Sequence, residues 1–321
     1  MHEPTYVENR AMSCLIVGGG GFIGSHLARH LSSKRRIVVA GRSAQPPFAL
    51  PAGVRYVQLN LTNPSALACL LDECDEVVDL AYSTVPKTSF EDPVFDIVSN
   101  LPFNVSLIKM ASERRMRKLV FVSSGGTVYG NPQYLPVDEA HPTNPVSPYG
   151  ITKLAIEKYG LMYGRLQGLP FVVVRPGNPY GPDQLGGRGQ GFVATAVLSA
   201  LKRSEIKVFG QRGSIRDYIY IDDLVAGIAA ALDQGEIGEI YNIGTGIGLD
   251  NRAVLDAIAA CARGDAIELI VRNEAVRPFD VSANVLSSAR LTYRSGWRPL
   301  VSLEEGMRLT WNGAKDRFEG R

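Results

Sequence analysis

Residues 13–33 read SCLIVGGGGFIGSHLARHLSS, and this stretch decides the fold. Its first five residues predict a buried β-strand, which the glycines end, and residues 22–33 predict a helix. Gly18, Gly21 and Gly24 therefore lie in a turn between a strand and a helix. Glycines there let the backbone approach a pyrophosphate at the helix N-terminus, where unpaired N–H groups favour an anion. The stretch predicts the first unit of a dinucleotide-binding sheet.

The same alternation of strands and helices continues as far as Arg175. Further strands are predicted at 35–43, 54–62, 75–83, 118–124 and 169–175, and helices at 64–73, 92–115 and 149–167. Continuous apolar strands that alternate with helices are typical of parallel strands buried on both faces. The predicted fold class is therefore α/β, with a Rossmann-type, doubly wound parallel sheet.

After residue 176 a long loop rich in glycine and proline begins a different part of the chain. Helices are predicted at 191–203, 222–233 and 302–312, with a short strand at 206–209. We predict a dinucleotide-binding domain at 13–176 and a smaller, loop-rich substrate lobe at 177–321. Parts of 211–245 are expected to return to the first domain, and residues 1–12 to form a polar N-terminal extension.

The composition excludes several classes of protein. The chain has 321 residues and a net charge of +2, which predicts no basic surface for nucleic acid or acidic membranes. No apolar run is long enough to span a membrane. No CxxC pair occurs and the histidines do not cluster with carboxylates, so we expect neither a metal site nor a disulfide framework. We expect reduced thiols in a cytoplasmic protein. The cysteines are Cys14, Cys69, Cys74 and Cys261.

The second strand is predicted to end near Gly41, Arg42 and Ser43, where an acidic residue usually holds the adenosine ribose of a dinucleotide. No acid is present. Gly41 would leave room for a 2′-phosphate, and Arg42 can form charge-assisted hydrogen bonds to it. The pattern favours NADP over NAD; the other interpretation is that Arg42 stacks on the adenine or faces solvent. Asn60 and Leu61, at the end of the third strand, are placed to contact the adenine.

The segment SPYGITK, residues 147–153, places Tyr149 and Lys153 four residues apart at the start of a predicted helix. They therefore share one face of that helix. A phenol has an unperturbed pKa of about 10. A neighbouring ammonium and a cationic nicotinamide ring both favour the phenolate, so Tyr149 could exchange a proton with an alcohol oxygen near neutral pH. The spacing becomes specific in combination with the glycine turn and with VFVSSGGTVYG at 120–130.

Six motifs together resemble the extended short-chain dehydrogenase/reductase family, and within it the NAD-dependent epimerase/dehydratase subgroup. They are GGGGFIGSHL, VFVSSGGTVYG, SPYGITKLAIE, RPGNPYGP, RDYIYIDD and YNIGTG, and the resemblance covers nearly the whole chain. It implies a nicotinamide cofactor, NAD or NADP, and a nucleotide-sugar substrate. It also implies that Tyr149 is the acid/base, and that Lys153 binds the nicotinamide ribose and lowers the Tyr149 pKa.

Taken with the residues named above, the resemblance implies which residues bind the two ligands. The cofactor contacts are Gly18, Gly21, Phe22, Ile23, Gly24, Arg42, Ser43, Asn60, Leu61, Leu80, Ala81, Tyr82, Asn100, Tyr149, Lys153 and Pro176. The substrate contacts are Ser124, Gly125, Gly126, Asn178, Phe209, Arg216, Arg277, Asp280 and Asn284. Arg216 and Arg277 suit a diphosphate, because a guanidinium group is a bidentate phosphate ligand.

The segment VFVSSGGTVYG departs from the family pattern at Gly125. Family members usually have Ser or Thr at this position, four residues before the tyrosine that corresponds to Tyr129. We therefore expect Ser124, Thr127 or water to carry the proton relay to the catalytic tyrosine. We also expect Gly125 and Gly126 to leave space in which a sugar can turn over.

The same segment bears on the reaction. Family dehydratases carry a carboxylate at the position of Thr127, and some also at that of Gly126, and neither residue is acidic here. We therefore expect a nucleotide-sugar 4-epimerase that oxidises and re-reduces C4. The alternatives are an NADPH-dependent 4-ketoreductase of a keto sugar, and a non-catalytic dinucleotide-binding sensor or scaffold, against which the Tyr149–Lys153 pair argues. Asn284 lies where epimerases select for or against an N-acetyl group, and its intermediate size leaves that choice open.

The resemblance also implies a homodimer that pairs the helices at 92–115 and 149–167 into a four-helix bundle. Ile151, Leu154 and Ala155 form an apolar stripe compatible with such an interface. The same residues are equally compatible with an ordinary core.

Overall fold

The computed structural model of the chain describes residues 12–60, 63–184, 191–275 and 281–320. The strands are β1 (Ser13–Val17), β2 (Arg36–Gly41), β3 (Arg55–Gln58), β4 (Glu76–Asp79), β5 (Lys118–Val122), β6 (Phe171–Pro176), β7 (Asn178–Tyr180), β8 (Ile206–Phe209), β9 (Ile215–Tyr220), β10 (Ile240–Ile243), β11 (Gly248–Leu249), β12 (Val271–Glu274) and β13 (Ala283–Asn284). The helices are α1 (Phe22–Leu31), α2 (Pro64–Asp72), α3 (Pro86–Glu91), α4 (Pro93–Glu113), α5 (Gly125–Val128), α6 (Pro148–Gln167), α7 (Phe192–Leu201), α8 (Ile221–Gln234), α9 (Asn251–Arg263), α10 (Ala289–Ser295) and α11 (Leu303–Phe318).

Seven parallel strands form the central sheet, in the order β10-β6-β5-β4-β1-β2-β3. The strand order reverses beside β1, which pairs with β2 on one side and β4 on the other. Ligands of doubly wound sheets bind at such a reversal, outside the carboxyl ends of the strands. The Rossmann-type sheet predicted from the sequence is confirmed, and its glycine turn lies at this point.

Helices cover both faces of this sheet. One buried apolar cluster contains Leu15, Val38, Leu107 and Phe171 and lies under α2, α4 and α6. The cluster on the other face extends from Leu27 of α1 through α8 to Trp311 of α11. The part of the chain after residue 176 therefore shares a continuous core with the large sheet, which fixes the position of one relative to the other.

The second part of the chain builds two small sheets in addition to the large one. In one, β9 pairs with β7, β11 and β13, and in the other β8 pairs with β12. The chain then returns to the large sheet, because β10 pairs in parallel with β6. Among the helices that the structure describes, none combines the length and apolar composition needed to cross a membrane.

The start and end of α6 are fixed locally. The Ser147 side chain accepts a hydrogen bond from the Gly150 backbone N–H, and Pro148 occupies the first helical position. Gly168 ends the helix with φ of 72°, a left-handed conformation that glycine adopts without strain. The segment SPYG therefore fixes where the helix begins, and with it the position of the tyrosine in its first turn.

Candidate active site

The glycine turn forms a cradle at the start of α1. Gly18 has φ of +75°, and a Cβ on it would lie 2.7 Å from the Ala81 backbone nitrogen. A Cβ on Gly24 would collide with the Gly19 backbone, so only glycine lets α1 lie this close to the turn. Gly21 is the N-cap of α1, and no side-chain hydrogen bond caps the helix there. The residues present thus fit a pyrophosphate held by backbone N–H groups.

Most of the other predicted cofactor contacts lie at the start of α1 or at the carboxyl ends of the sheet strands. Phe22 and Ile23 begin α1, Arg42 and Ser43 follow β2, Asn60 follows β3, Leu80, Ala81 and Tyr82 follow β4, and Pro176 ends β6. Arg42 and Ser43 are exposed, and Leu61 lies outside the described residues. Direct contact of each residue with a dinucleotide stays a prediction.

Tyr149 and Lys153 lie in the first two turns of α6 and are both buried. The Lys153 Nζ donates a hydrogen bond of 2.8 Å to the Val122 carbonyl and lies 5.9 Å from the centre of the Tyr149 ring. Burial lowers the pKa of Lys153 to about 8, although nearby carboxylates oppose the shift. Burial raises the pKa of Tyr149, and the charge of Asp96 raises it further. The protein without cofactor therefore keeps the phenol neutral, and a lower Tyr149 pKa caused by Lys153 together with bound nicotinamide stays a prediction.

Asp96 is a carboxylate beside this pair that the sequence did not indicate. It comes from α4, is fully buried, and accepts hydrogen bonds from the hydroxyls of Thr152 (2.7 Å) and Thr84. The Tyr82 hydroxyl lies 3.4 Å from both of its oxygens. The Tyr82 ring in turn packs edge-on against Tyr149, with ring centres 4.7 Å apart. A single acid in an amphipathic segment carries no motif, so only the fold shows this proximity.

Two further buried groups hold the loop that follows β4. The Asn100 side chain accepts a hydrogen bond of 2.7 Å from the Ser83 backbone and donates one of 2.8 Å to the Asp96 carbonyl. Asn100 thus positions this loop, and its predicted contact with the cofactor stays a prediction. Asp79 was not singled out in the sequence. It accepts a hydrogen bond of 2.9 Å from the Ala81 backbone, and burial raises its pKa to about 6.

The turn after β5 carries three hydroxyl side chains that differ in burial and in hydrogen bonding. β5 ends at Val122, two residues before the predicted end, and the chain turns into α5. Ser123 is buried and donates its hydroxyl to the Glu157 carboxylate, so this hydroxyl is engaged in the core. Ser124 is half-buried at the N-cap of α5 and makes no capping hydrogen bond. The Thr127 hydroxyl oxygen is buried and has no hydrogen-bond partner among the described residues. Ser124 and Thr127 both remain candidates.

The space expected at Gly125 is absent, because Leu286 fills it. A Cβ on Gly125 would lie 2.5 Å from the Leu286 Cδ1, so a serine or threonine could not occupy this position without moving the leucine. Gly126 differs: a Cβ there would meet the Asn178 side-chain oxygen at 3.6 Å and the Ser124 hydroxyl at 4.0 Å. A small side chain could therefore fit at position 126 but not at 125, and the glycine at 125 is explained by packing.

Residues of the second lobe reach the same turn. Asn284 of β13 is fully buried and donates a hydrogen bond of 3.0 Å to the Gly125 carbonyl. This bond ties the lobe to the turn, and a role of Asn284 in selecting the sugar stays a prediction. Arg216 of β9 pairs with Asn284 in register, and its guanidinium donates a hydrogen bond of 2.8 Å to the Ile215 carbonyl. Phe209 ends β8 and is half-buried. Arg277 and Asp280 lie outside the described residues.

A buried phenol and a buried lysine thus lie beside the loop that follows β4, which also borders the glycine cradle. This arrangement suits hydride transfer at a carbon that bears a hydroxyl group, with the phenol as the acid/base. Within the described parts of the chain, no group of three or more His, Cys, Asp or Glu side chains is placed to hold a metal ion.

Comparison with known proteins identifies relatives over nearly the whole chain. The UDP-glucose 4-epimerase of Mycolicibacterium smegmatis is 33% identical over 93% of this chain and 97% of its own length. The dTDP-4-dehydro-6-deoxyglucose reductase of Escherichia coli is 28% identical over 94% and 97%, respectively. The crystal structure of the Thermus thermophilus UDP-glucose 4-epimerase in complex with NAD matches with a TM-score of 0.88 and 35% identity, over 95% of this chain and 99% of that one. The model of the NAD dependent epimerase/dehydratase family matches residues 14–244. The resemblance carried by the six motifs is thereby confirmed, and the chain belongs to the NAD-dependent epimerase/dehydratase family.

Proposed function

We propose that the chain is a nucleotide-sugar 4-epimerase that acts on a UDP-hexose with NAD. The observation that carries this proposal is the buried Tyr149–Lys153 pair beside the glycine cradle, with no acidic side chain at positions 126 and 127. A dehydratase of this family needs a carboxylate there to assist elimination, whereas an epimerase needs one group that takes and returns a proton. The two epimerase relatives, one of them a complex with NAD, support the same assignment.

Each residue of the site has a separate role in this proposed reaction. Bound nicotinamide would supply the reversible hydride acceptor. Tyr149 takes the proton of the C4 hydroxyl during oxidation and returns it during reduction. Lys153, which also lies 4.2 Å from the centre of the Tyr82 ring, places a positive charge near the developing phenolate. The negative charge of Asp96 disfavours the phenolate. After reduction the sugar oxygen must be protonated again, and Asp96 acts against proton removal from Tyr149.

The proposal is tested by incubating the purified protein with UDP-glucose and UDP-galactose, and separately with their N-acetyl analogues. Interconversion within one pair, without added cofactor, is expected. Denaturing the protein and identifying the released dinucleotide is the second arm, for which we expect NAD. An absence of interconversion in both pairs would refute the proposal.

A 4-ketoreductase is the second candidate, because one relative is a dTDP-4-dehydro-6-deoxyglucose reductase and Arg42 is exposed at the end of β2. In that case the protein would be purified empty, bind NADPH much more tightly than NADH, and reduce a 4-keto sugar nucleotide stoichiometrically. Such a result would replace the epimerase assignment.

The helper hydroxyl is predicted to be Ser124. We expect Ser124→Ala to lower kcat by about tenfold or more, since a positioned proton-transfer group contributes at least that much. Thr127→Ala is the matched control for Ser124→Ala on the same turn. It is expected to lower kcat by less than about threefold, as for a group that takes no part in proton transfer. Steady-state kinetics of both variants check the order, and the reverse order would assign the helper role to Thr127.

We further propose that the enzyme is a homodimer that pairs α4 and α6 of two protomers. Both helices carry large exposed apolar side chains: Val94, Ile97 and Val98 on α4, and Ile151, Met162 and Leu166 on α6. Leu154, expected in this stripe, instead packs half-buried against the small cluster around Tyr129. Exposed apolar patches of this kind mark association surfaces.

Met162→Glu is expected to convert the dimer into a monomer, because it places a charge in an apolar interface. Sedimentation velocity at micromolar concentration measures the change. Leu300→Glu is the matched control, since Leu300 is 76% exposed and lies outside both helices, and it should leave the dimer intact. A wild-type protein that sediments as a monomer would contradict the proposal.

A further inference from the structure

The carboxyl end of β2 is covered by Tyr56 of β3. A Cβ on Gly41 would lie 2.5 Å from the Tyr56 hydroxyl oxygen and 3.1 Å from the ring carbon Cε2. The same ring borders the cradle, because a Cβ on Gly20 would lie 3.3 Å from Cε2. One tyrosine therefore lies between the glycine turn and the strand end at which family members carry the ribose-binding acid. An acidic residue at position 41 would collide with it.

The hydroxyl proton of Tyr56 is already used in a hydrogen bond within the protein. It donates a hydrogen bond of 2.8 Å to the Ser43 carbonyl. The Gln58 side chain donates one of 3.1 Å to the Arg42 carbonyl, so two side chains of β3 hold this turn. The phenol oxygen can still accept a hydrogen bond, as an oxygen of the missing carboxylate would. Burial raises the pKa of Tyr56, which keeps the phenol protonated at neutral pH.

We propose that Tyr56 replaces the missing acid as the residue that recognises the adenosine ribose, and that it selects a free 2′-hydroxyl over a 2′-phosphate. A ribose hydroxyl can donate to the phenol oxygen. A phosphate dianion presents acceptors only, and must compete with the Ser43 carbonyl for the single phenol proton. The proposal rests on the proposed function, because it assumes that a dinucleotide occupies the α1 cradle. It also revises the expectation that Gly41 leaves room for a 2′-phosphate, since Tyr56 takes up the space beside Gly41.

The test measures binding of two fragments, ADP-ribose and 2′-phospho-ADP-ribose, by calorimetry on protein freed of dinucleotide. Neither fragment carries nicotinamide, so the readout does not depend on turnover. Tyr56→Phe keeps the ring and removes the acceptor. It should weaken ADP-ribose binding by about three- to tenfold, the range for one neutral hydrogen bond, and leave binding of the phosphorylated fragment unchanged. Tyr293→Phe, at a side chain that is 95% exposed on α10, is the matched control and should change neither.

A second pair of variants tests the replacement itself. Gly41→Asp alone should weaken binding of both fragments, because the new side chain meets the phenol. Gly41→Asp combined with Tyr56→Ala should restore ADP-ribose binding and reject the phosphorylated fragment, as an acid at this position does. Equal losses for both fragments in Tyr56→Phe, or no loss, would overturn the proposal. A wild-type protein that binds neither fragment would instead refute the proposed function.

Discussion

Replacing Tyr149 with phenylalanine should lower kcat for epimerisation by about 10²- to 10⁴-fold, the range for loss of a positioned acid–base group. The ring that remains keeps its edge-on contact with Tyr82, so the wall of the site is preserved. The backbone N–H of Tyr149, which donates to the Ser89 hydroxyl at 3.2 Å, is also unaffected. Only the exchangeable proton is lost, and binding of the dinucleotide should change little.

Tyr82→Phe is the matched control for this experiment. It removes the neighbouring hydroxyl, which lies 3.4 Å from the oxygens of Asp96, and leaves the Tyr149 phenol in place. Its effect on kcat should be far smaller than that of Tyr149→Phe. Chromatographic separation of UDP-glucose from UDP-galactose measures turnover, and calorimetry with NAD measures binding. If Tyr149→Phe retains full turnover, our catalytic assignment is wrong. If neither protein turns over any sugar nucleotide but both bind NAD, the non-catalytic sensor becomes the better interpretation.

The fold was predictable because local sequence and global structure agree in the dinucleotide-binding half. The apolar strand Ser13–Val17, the glycine turn and the helix Phe22–Leu31 can satisfy their backbone hydrogen bonds in few other ways. The requirement for glycine in the turn is also local, since a side chain at Gly18 or Gly24 would collide with backbone. Tyr149 and Lys153 could also be predicted from local sequence. They are one helix turn apart, so their proximity follows from the sequence alone.

The parts of the site that escaped prediction all depend on contacts between distant segments. Asp96 lies beside Tyr149 because α4 packs against α6, and nothing in its own segment indicates this. The reason for Gly125 lies 161 positions later, at Leu286. Tyr56 explains Gly41 only once β2 and β3 are paired in register. A sequence pattern shows that a glycine is unusual, and the folded chain shows which neighbour requires it.

The largest effect on stability is expected at the buried ion pair between Glu157 and Arg175. The Glu157 side chain is fully buried and that of Arg175 is 2% exposed, with two hydrogen bonds of 3.0 and 2.6 Å between them. The guanidinium also lies 4.8 Å from the centre of the Tyr129 ring, whose hydroxyl donates to Asn242 at 2.7 Å. The pair thus joins α6 and β6, and links them to the turn at 123–129 and to β10 at the edge of the sheet.

Glu157→Ala should lower the free energy of unfolding by about 3–5 kcal/mol, because it leaves the arginine charge buried without a partner. Urea unfolding at pH 7 measures the change. Glu305→Ala is the matched control, since it breaks an ion pair with Arg308 in which both side chains are about half exposed. That loss should stay within about 1 kcal/mol, the range for surface pairs. Equal losses of unfolding free energy in the two variants would show that the buried pair stabilises the fold no more than a surface pair does.

The double variant Glu157→Leu with Arg175→Met separates stability from positioning. Replacing both members of a buried ion pair with apolar side chains is often neutral or stabilising, so most of the lost free energy should return. The hydroxyl of Ser123 would still lose its acceptor, because it donates to the same carboxylate. Ser123 precedes Ser124 at the start of the turn at 123–129, so that turn would lose an anchor. We therefore expect a double variant that is nearly as stable as the wild type and has a lower kcat. Recovery of both stability and kcat would mean that the ion pair supports the fold alone and does not position the turn at 123–129.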